Sequence, residues 1–462
     1  MPTVEGDYNG HSSSRNQFAF WMLGLCNNFA YVIMLSAAED ILSVEDDPKT
    51  SSKRIDDPCQ SSVVHRQCQP LSTGSVLLAN IIPSLIVKIF YPFVMHHVPF
   101  GLRHLFTVLL QISSFLVVAF SQNIFMGLAG QFFDLFSRRR ARKSMKMFAG
   151  VALASIGAGI GEVTFLSLTT YFPNNVVGAW SSGTGGAGIF GSFAYAMLTD
   201  MHMLRLTPQS ALLLMLIVPL TFAFVYWKLL LLPGNIHRVS ICKPSTYLVT
   251  YTTLNRRRNS NISSGDESAQ LIDSYDDSND DPISAIDQQS FRSKLIMAKP
   301  LILKYMLPFA VVYFAEYFIN QGLLELLVFD CSHSFGIGQH GQYRWYQVNV
   351  IESFKIELEL SLHFIKLRHI IFSFQVINAA FLFWDALEQF IPHVIVVFII
   401  VFYEGLLGGA AYVNIFRLLH KSIPIEGREF SLSFVSMSDS FGIVCAGFLA
   451  IPAHNFICDM PV

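Results

Sequence analysis

"VVYFAEYFINQGLLELLVF", residues 311–329, is an apolar and aromatic run broken by Glu316, Asn320, Gln321 and Glu325. Its length suits an α-helix that crosses about 30 Å of hydrocarbon, which takes about 20 residues. A charge at the centre of such a span costs at least about 2.5–3.5 kcal/mol. Glu316 therefore calls for a protein or aqueous neighbour, not lipid. Helical positions three and four apart share a face. Tyr313, Glu316, Tyr317, Asn320 and Leu324 form one stripe, and Gln321 and Glu325 lie on another.

The rest of the chain has the same character. Of its 462 residues, 52% are hydrophobic and only 14% charged, against roughly 25% charged in an average soluble domain. Apolar stretches long enough to span lie near 18–38, 73–95, 103–120, 151–172, 183–199, 209–232, 300–329, 370–390, 394–416 and 430–454. The fold class is all-α, a polytopic membrane protein with ten clear candidate spans. One long polar interruption divides it into a leader (1–17), an N-terminal helix bundle (18–233), a linker (234–298) and a C-terminal helix bundle (299–462). The formal net charge of −2 gives no global attraction to nucleic acid, and no zinc-type cysteine spacing is present. Without a G-x-S-x-G, H-E-x-x-H or Walker motif, nothing here indicates an enzyme, a cofactor or a metal.

Lys and Arg in short loops orient a membrane protein. With the N-terminus cytosolic, the basic loops 96–104 and 416–428 are cytosolic and the loop 39–72 is lumenal. Cys59 and Cys68 in that loop are candidates for a disulfide in an oxidising compartment, a reduced pair being the alternative. The linker, rich in Ser, Asp and Asn, reads as disordered and cytosolic. Within it Glu267, Leu271 and Ile272 match an acidic dileucine pattern of the kind sorting adaptors read.

Three further carboxylates repeat the logic of Glu316. Glu162 lies in "GAGIGEVTFLSLTTYF", Glu404 in "VFYEGLLGGAAYVNIF" with Gly408 and Tyr412 on its stripe, and Asp439 in "SFVSMSDSFGIVCAG". Together with Tyr313, Glu316 and Asn320, and with Asn27, Asn28 and Lys88 from early spans, they are candidates to line one polar path at the midplane. Carboxylates from two halves meeting there is a transporter pattern. Proton-linked or facilitative carriage of a small solute is one reading. The alternative is a non-transporting membrane organiser of intracellular trafficking, whose acids only hold helices together.

"GTGGAG", with Gly183, Gly185 and Gly188, matches the dinucleotide fingerprint G-x-G-x-x-G, but it opens an apolar span instead of following a strand. Small-residue helix packing explains it better, as it does Gly408 and Gly409. Ser181 and Ser182 are read as caps at the start of that helix.

Several blocks closely resemble the battenin family of lysosomal and vacuolar membrane proteins: "FWMLGLCNNFAYVIMLSAAEDIL" (20–42), "GEVTFLSLTTYFP" (161–173), "WSSGTGGAG" (180–188), "VVYFAEYFINQGL" (311–323), "YRWYQ" (343–347) and "YEGLLGGAAYVN" (403–414). The resemblance implies about eleven spans in a major-facilitator-like bundle, a cytosolic N-terminus and a lysosomal address carried by Glu267, Leu271 and Ile272. It also implies roles in lysosomal pH homeostasis and in export of basic amino acids or glycerophosphodiesters.

Two segments depart from that pattern. Residues 131–150 insert Arg138, Arg139, Arg140, Arg142, Lys143 and Lys146 into the fourth span, on the side that should be lumenal. Residues 348–369 put Glu352, Lys355, Glu357, Glu359, Lys366 and Arg368 where an apolar eighth span belongs. Loss of that crossing would invert every later span and move the basic loop 416–428 to the lumen. Foreign composition at motif boundaries points to retained intron sequence or altered splicing; uniform read coverage of the major transcript over residues 128–152 and 346–370 would refute this.

Overall fold

The computed structural model describes residues 10–43, 73–95, 98–120, 139–199, 203–234, 298–338 and 364–460, with isolated positions between them. Glu267, Leu271, Ile272 and Cys59 lie outside the described residues. Every regular element among the described residues is helical, and eight helical stretches there are long and apolar enough to cross a membrane.

The first half contains α1 (Gly10–Ser43), α2 (Thr73–Val94), α3 (Phe100–Ala119), α4 (Arg139–Leu168) and α5 (Asn175–Thr199). A sixth rod joins α6 (Pro208–Leu214), α7 (Ile217–Phe224) and a π-turn at Val225–Leu229. The second half begins with α8 (Leu307–Phe318), set between π-turns at Ile302–Met306 and Ile319–Leu323 and followed by a 3-10 turn at Leu324–Leu326. Then come α9 (Phe364–Glu388), α10 (Val394–Ser422), α11 (Ile425–Val435) and α12 (Met437–Cys458). Within the halves α1 packs on α5, α3 on α4, and α8 on α12 and α9; the halves meet where α2 lies along α12 and α4 against α11.

Several boundaries differ from the hydropathy reading, each for a local reason. Helix α1 starts at Gly10, not Phe18, because its polar first turns have partners. Arg15 donates to the carbonyls of Lys228 (2.7 Å) and Leu229 (2.8 Å), and the Asn16 side chain accepts from the amide of Leu231 (3.0 Å). Helix α5 starts at Asn175, so Ser181 and Ser182 sit inside it and do not cap it, and the glycine-rich motif is mid-helix. Arg139, Arg140, Arg142, Lys143 and Lys146 of the basic insertion fall in the first turns of α4.

The segment that opened the reading is not one rod. At the π-turn the backbone loses its regular i→i−4 ladder, and the exposed carbonyls are taken up by side chains, as the bilayer interior requires. Gln347 donates to the Asn320 carbonyl (3.1 Å) and the Thr73 hydroxyl to that of Gln321 (2.6 Å). The last span is likewise broken at Ser436, between α11 and α12.

Two opposite ends of the bundle can be told apart. At one, Cys68 is joined to Cys458 with Cα atoms 6.1 Å apart, the Thr73 amide donates to Glu325 (3.1 Å), the Tyr346 hydroxyl donates to the Leu327 carbonyl (3.1 Å), and the Val394 amide donates to the carbonyl of His333 (3.2 Å). At the other, Arg103 donates to the Val98 carbonyl (2.6 Å), the Tyr171 hydroxyl donates to Glu429 (3.0 Å), and His420 Nε2 lies 3.2 Å from the Thr169 carbonyl. The disulfide corrects the expected Cys59–Cys68 pairing: Cys68 bonds a residue 390 positions away that the fold brings to the same end.

The late spans are not inverted, as they would be if the eighth crossing were lost. Helix α9 ends beside Ile391, whose amide donates to Asp385 (2.8 Å), at the same end as Tyr346, so it starts from the opposite end. As a result α10 delivers the basic stretch after Phe416 to the end that holds Arg103.

Candidate functional site

At the seam between the halves, Lys88 of α2 is 2% exposed and sits between two carboxylates. Its Nζ lies 2.6 Å from Glu162 Oε2 on α4 and 3.0 Å from both carboxylate oxygens of Asp439 on α12. Glu162 is 8% and Asp439 6% exposed, so all three charges are withdrawn from solvent and lipid. In a low-dielectric interior a lone charge is costly, and each of these is compensated.

The local backbone prepares this arrangement. The break at Ser436 frees a carbonyl that accepts from Lys88 (3.3 Å), and it starts α12 just ahead of Asp439. The positive end of the helix dipole favours an acid there, and the Ser440 amide and hydroxyl both donate to Asp439 Oδ1. Opposite, the hydroxyl of Tyr412 on α10 donates to Glu162 Oε1 (3.1 Å).

A second polar cluster lies within the C-terminal half. Glu404 Oε1 accepts from Asn320 Nδ2 (3.4 Å) and from Gln375 Nε2 of α9 (3.3 Å). Glu316 is fully buried on α8 with its carboxylate against Gly408, where any side chain would overlap it. One face of α10 thus serves both clusters: Glu404 meets Asn320 and Gln375, Gly408 admits Glu316, and Tyr412 reaches Glu162. Tyr313 stands in the aromatic run between them, its ring 4.9 Å from Phe309, which is 5.8 Å from Tyr412. Gln321 extends the second cluster outward, accepting from the Tyr343 hydroxyl (2.9 Å) and donating to Gln347 (3.2 Å).

Of the sequence candidates, Glu162 and Asp439 come together, as do Glu316, Asn320 and Glu404, with Tyr313 between the groups. Asn27 does something else: it donates to the Ala158 carbonyl (3.1 Å) and packs on Gly161, holding α1 to α4. Gly183 packs backbone on backbone, since a Cβ there would overlap the Trp21 carbonyl. Gly185 and Gly409 are buried and Gly188 is half-buried. Gly408 makes room for a carboxylate instead of a neighbouring helix backbone. Gln375 escaped the sequence reading because a single amide in an apolar span carries little signal; Asn378, one turn on and also buried, was the available clue.

Comparison with known proteins agrees on kinship. The family model "CLN3 protein" matches residues 18–460. Battenin of Canis lupus familiaris is 37% identical over 473 residues, covering 99% of this chain and 95% of its own. Protein btn-1 of Neurospora crassa is 33% identical over 471 residues, covering 96% and 88%. Among solved structures, the major facilitator superfamily proton:xylose symporter XylE aligns at 13% identity and TM-score 0.46, over 98% of this chain and 97% of that one. The chain belongs to the CLN3 protein family, the family that includes battenin.

Proposed function

We propose that this protein carries a small solute across the lysosomal or vacuolar membrane, coupled to or permissive of proton movement. The observation that supports this best is the buried Lys88–Glu162–Asp439 network, a set of ion pairs set into the otherwise apolar seam between the two halves. Ion pairs at that seam can be exchanged for solute or proton contacts when the halves part. The second cluster, Glu316 with Glu404, supplies carboxyls able to take up and release a proton on the same helix face. The resemblance supports basic amino acids and glycerophosphodiesters as substrate classes, with an effect on organelle pH through proton-coupled flux.

Arg15, Arg103, Lys228 and the stretch after Phe416 gather at one end of the bundle and the disulfide lies at the other. Disulfide chemistry supports a lumenal Cys68–Cys458 bond and with it a cytosolic N-terminus; these loop charges favour the same orientation, against the five basic residues in the first turns of α4, which stand toward the disulfide end. Residues Glu267, Leu271 and Ile272 are our candidates for recognition by sorting adaptors.

Purified protein in liposomes tests the proposal. Labelled arginine or a labelled glycerophosphodiester should accumulate in response to a pH gradient, and Glu316→Gln should abolish the pH-driven part while leaving the protein folded. Equal pH-driven flux in that variant removes Glu316 from the mechanism. Absence of flux of either solute, in protein that is monodisperse and folded, would favour the membrane organiser.

A further inference from the structure

We propose that Cys68, His454 and Cys458, with Glu325 as a fourth donor, bind a divalent transition metal of the zinc type when the Cys68–Cys458 pair is reduced. The site is separate from the charged seam and independent of the carrier reading. Donor atoms of the first three residues all lie within 4.8 Å of one another. His454 Nε2 is 3.7 Å from Cys458 Sγ and 4.0 Å from Glu325 Oε1. Bond lengths of about 2.0–2.3 Å in a tetrahedral zinc site put neighbouring ligand atoms ~3.3–3.8 Å apart. The imidazole therefore stands near ligand spacing from Cys458 and close to the carboxylate, while the two sulfurs must separate, as breaking their bond allows, and the Glu325 side chain must swing in to complete the set.

The surroundings fit a metal better than they fit a plain cross-link. Two thiolates, an imidazole and a carboxylate form a donor set for zinc, not for magnesium or calcium, which take oxygen. His454 is buried, and its Nδ1 lies 3.3 Å from Asn455 Oδ1, so that with the proton on Nδ1 as donor the Nε2 is left for coordination. Glu325 Oε2 accepts from the Thr73 amide (3.1 Å), which fixes the carboxylate and turns Oε1 toward His454. Such outer contacts orient ligands in metal sites. Cys68 is exposed, so both reductant and metal have a route from the aqueous side.

Two molecules of a low-molecular-weight thiol suffice for the reduction. The S–S bond breaks, the pair gains two electrons and two protons, and the reductant leaves as its own disulfide. A phosphine does the same with one water, leaving as phosphine oxide. Metal binding then releases the two thiol protons to solvent. Because Cys68 precedes α2 in the first half and the other three donors belong to the second, the metal would tie the same two halves that the disulfide ties.

Cobalt(II) titration of the full chain in detergent, before and after phosphine treatment, tests this, with alkylation and mass spectrometry to count free thiols at Cys68 and Cys458. The expected result is one Co2+ per reduced chain, with thiolate-to-cobalt charge-transfer absorption that zinc displaces, and none for the oxidised chain. Cys68→Ser should abolish it, and Glu325→Gln should weaken binding by about tenfold or more. Binding no stronger in the reduced wild-type chain than in Cys68→Ser overturns the proposal. So does equal affinity in His454→Ala, or a disulfide that phosphine cannot reduce while the chain stays folded.

Discussion

Lys88→Met is expected to destabilise the protein by ~3–5 kcal/mol, the cost of stranding a buried charge by removing its partner. Lys88 is the cation between Glu162 and Asp439, 2.6 Å from one and 3.0 Å from the other, and both acids stay buried when it is gone. The neutral side chain fills similar volume, so the loss reports charge and not a cavity. Removing the acids as well, in Lys88→Met with Glu162→Gln and Asp439→Asn, should recover most of the stability, since well-packed neutral groups often replace a buried ion network at little cost. Single changes in one network do not add, and the size of the recovery measures their coupling. The unfolding midpoint of purified protein in detergent is the readout. An unchanged midpoint in Lys88→Met, or a triple variant worse than the single, would show that the network does not hold the halves together. The same variants should lose pH-driven solute flux in liposomes, including the triple variant, which separates stability from mechanism.

Gly183→Val should be comparably damaging, by ~3 kcal/mol or more, at the upper end of what overpacking a tight interface costs. A Cβ at Gly183 would overlap the Trp21 carbonyl and stand 3.0 Å from the Leu25 amide, both backbone atoms of α1 that no side-chain rotation can move. The reciprocal contact is equally close: a Cβ at Gly24 would meet the Trp180 carbonyl and lie 2.9 Å from the Thr184 amide. Helices α1 and α5 therefore touch main chain to main chain, and in lipid, where apolar burial does not drive helices together, such close packing is what holds them. Gly186→Ala on the same helix is the control. Its nearest neighbours are side-chain ends, Leu25 Cδ1 at 3.4 Å and Phe190 Cδ2 at 3.7 Å, so it should be tolerated. Equal stability of Gly183→Val and Gly186→Ala would refute the close-contact account.

Hydropathy and helical periodicity were enough to identify a helical membrane protein, to place Glu162, Glu316, Glu404 and Asp439 inside it, and to read Gly183 as a packing residue. These follow from short-range rules: the length of a span, the price of a charge in lipid, and the shared face of residues three and four apart. The breaks at Asn320 and Ser436 were not legible, because a few freed carbonyls leave no trace in an apolar run until their partners, Gln347, Thr73 and Lys88, are known.

What the sequence alone determined is thus the solvent, the class of fold and the list of costly groups. Which groups meet was decided by tertiary structure. Lys88 pairs with Asp439 across 351 positions and Cys68 with Cys458 across 390, and no local pattern encodes either pairing. The physical reason is that burying a charge sets only the need for a partner, and a cysteine in the sequence names none; the packing of α2 along α12 brings both pairs together.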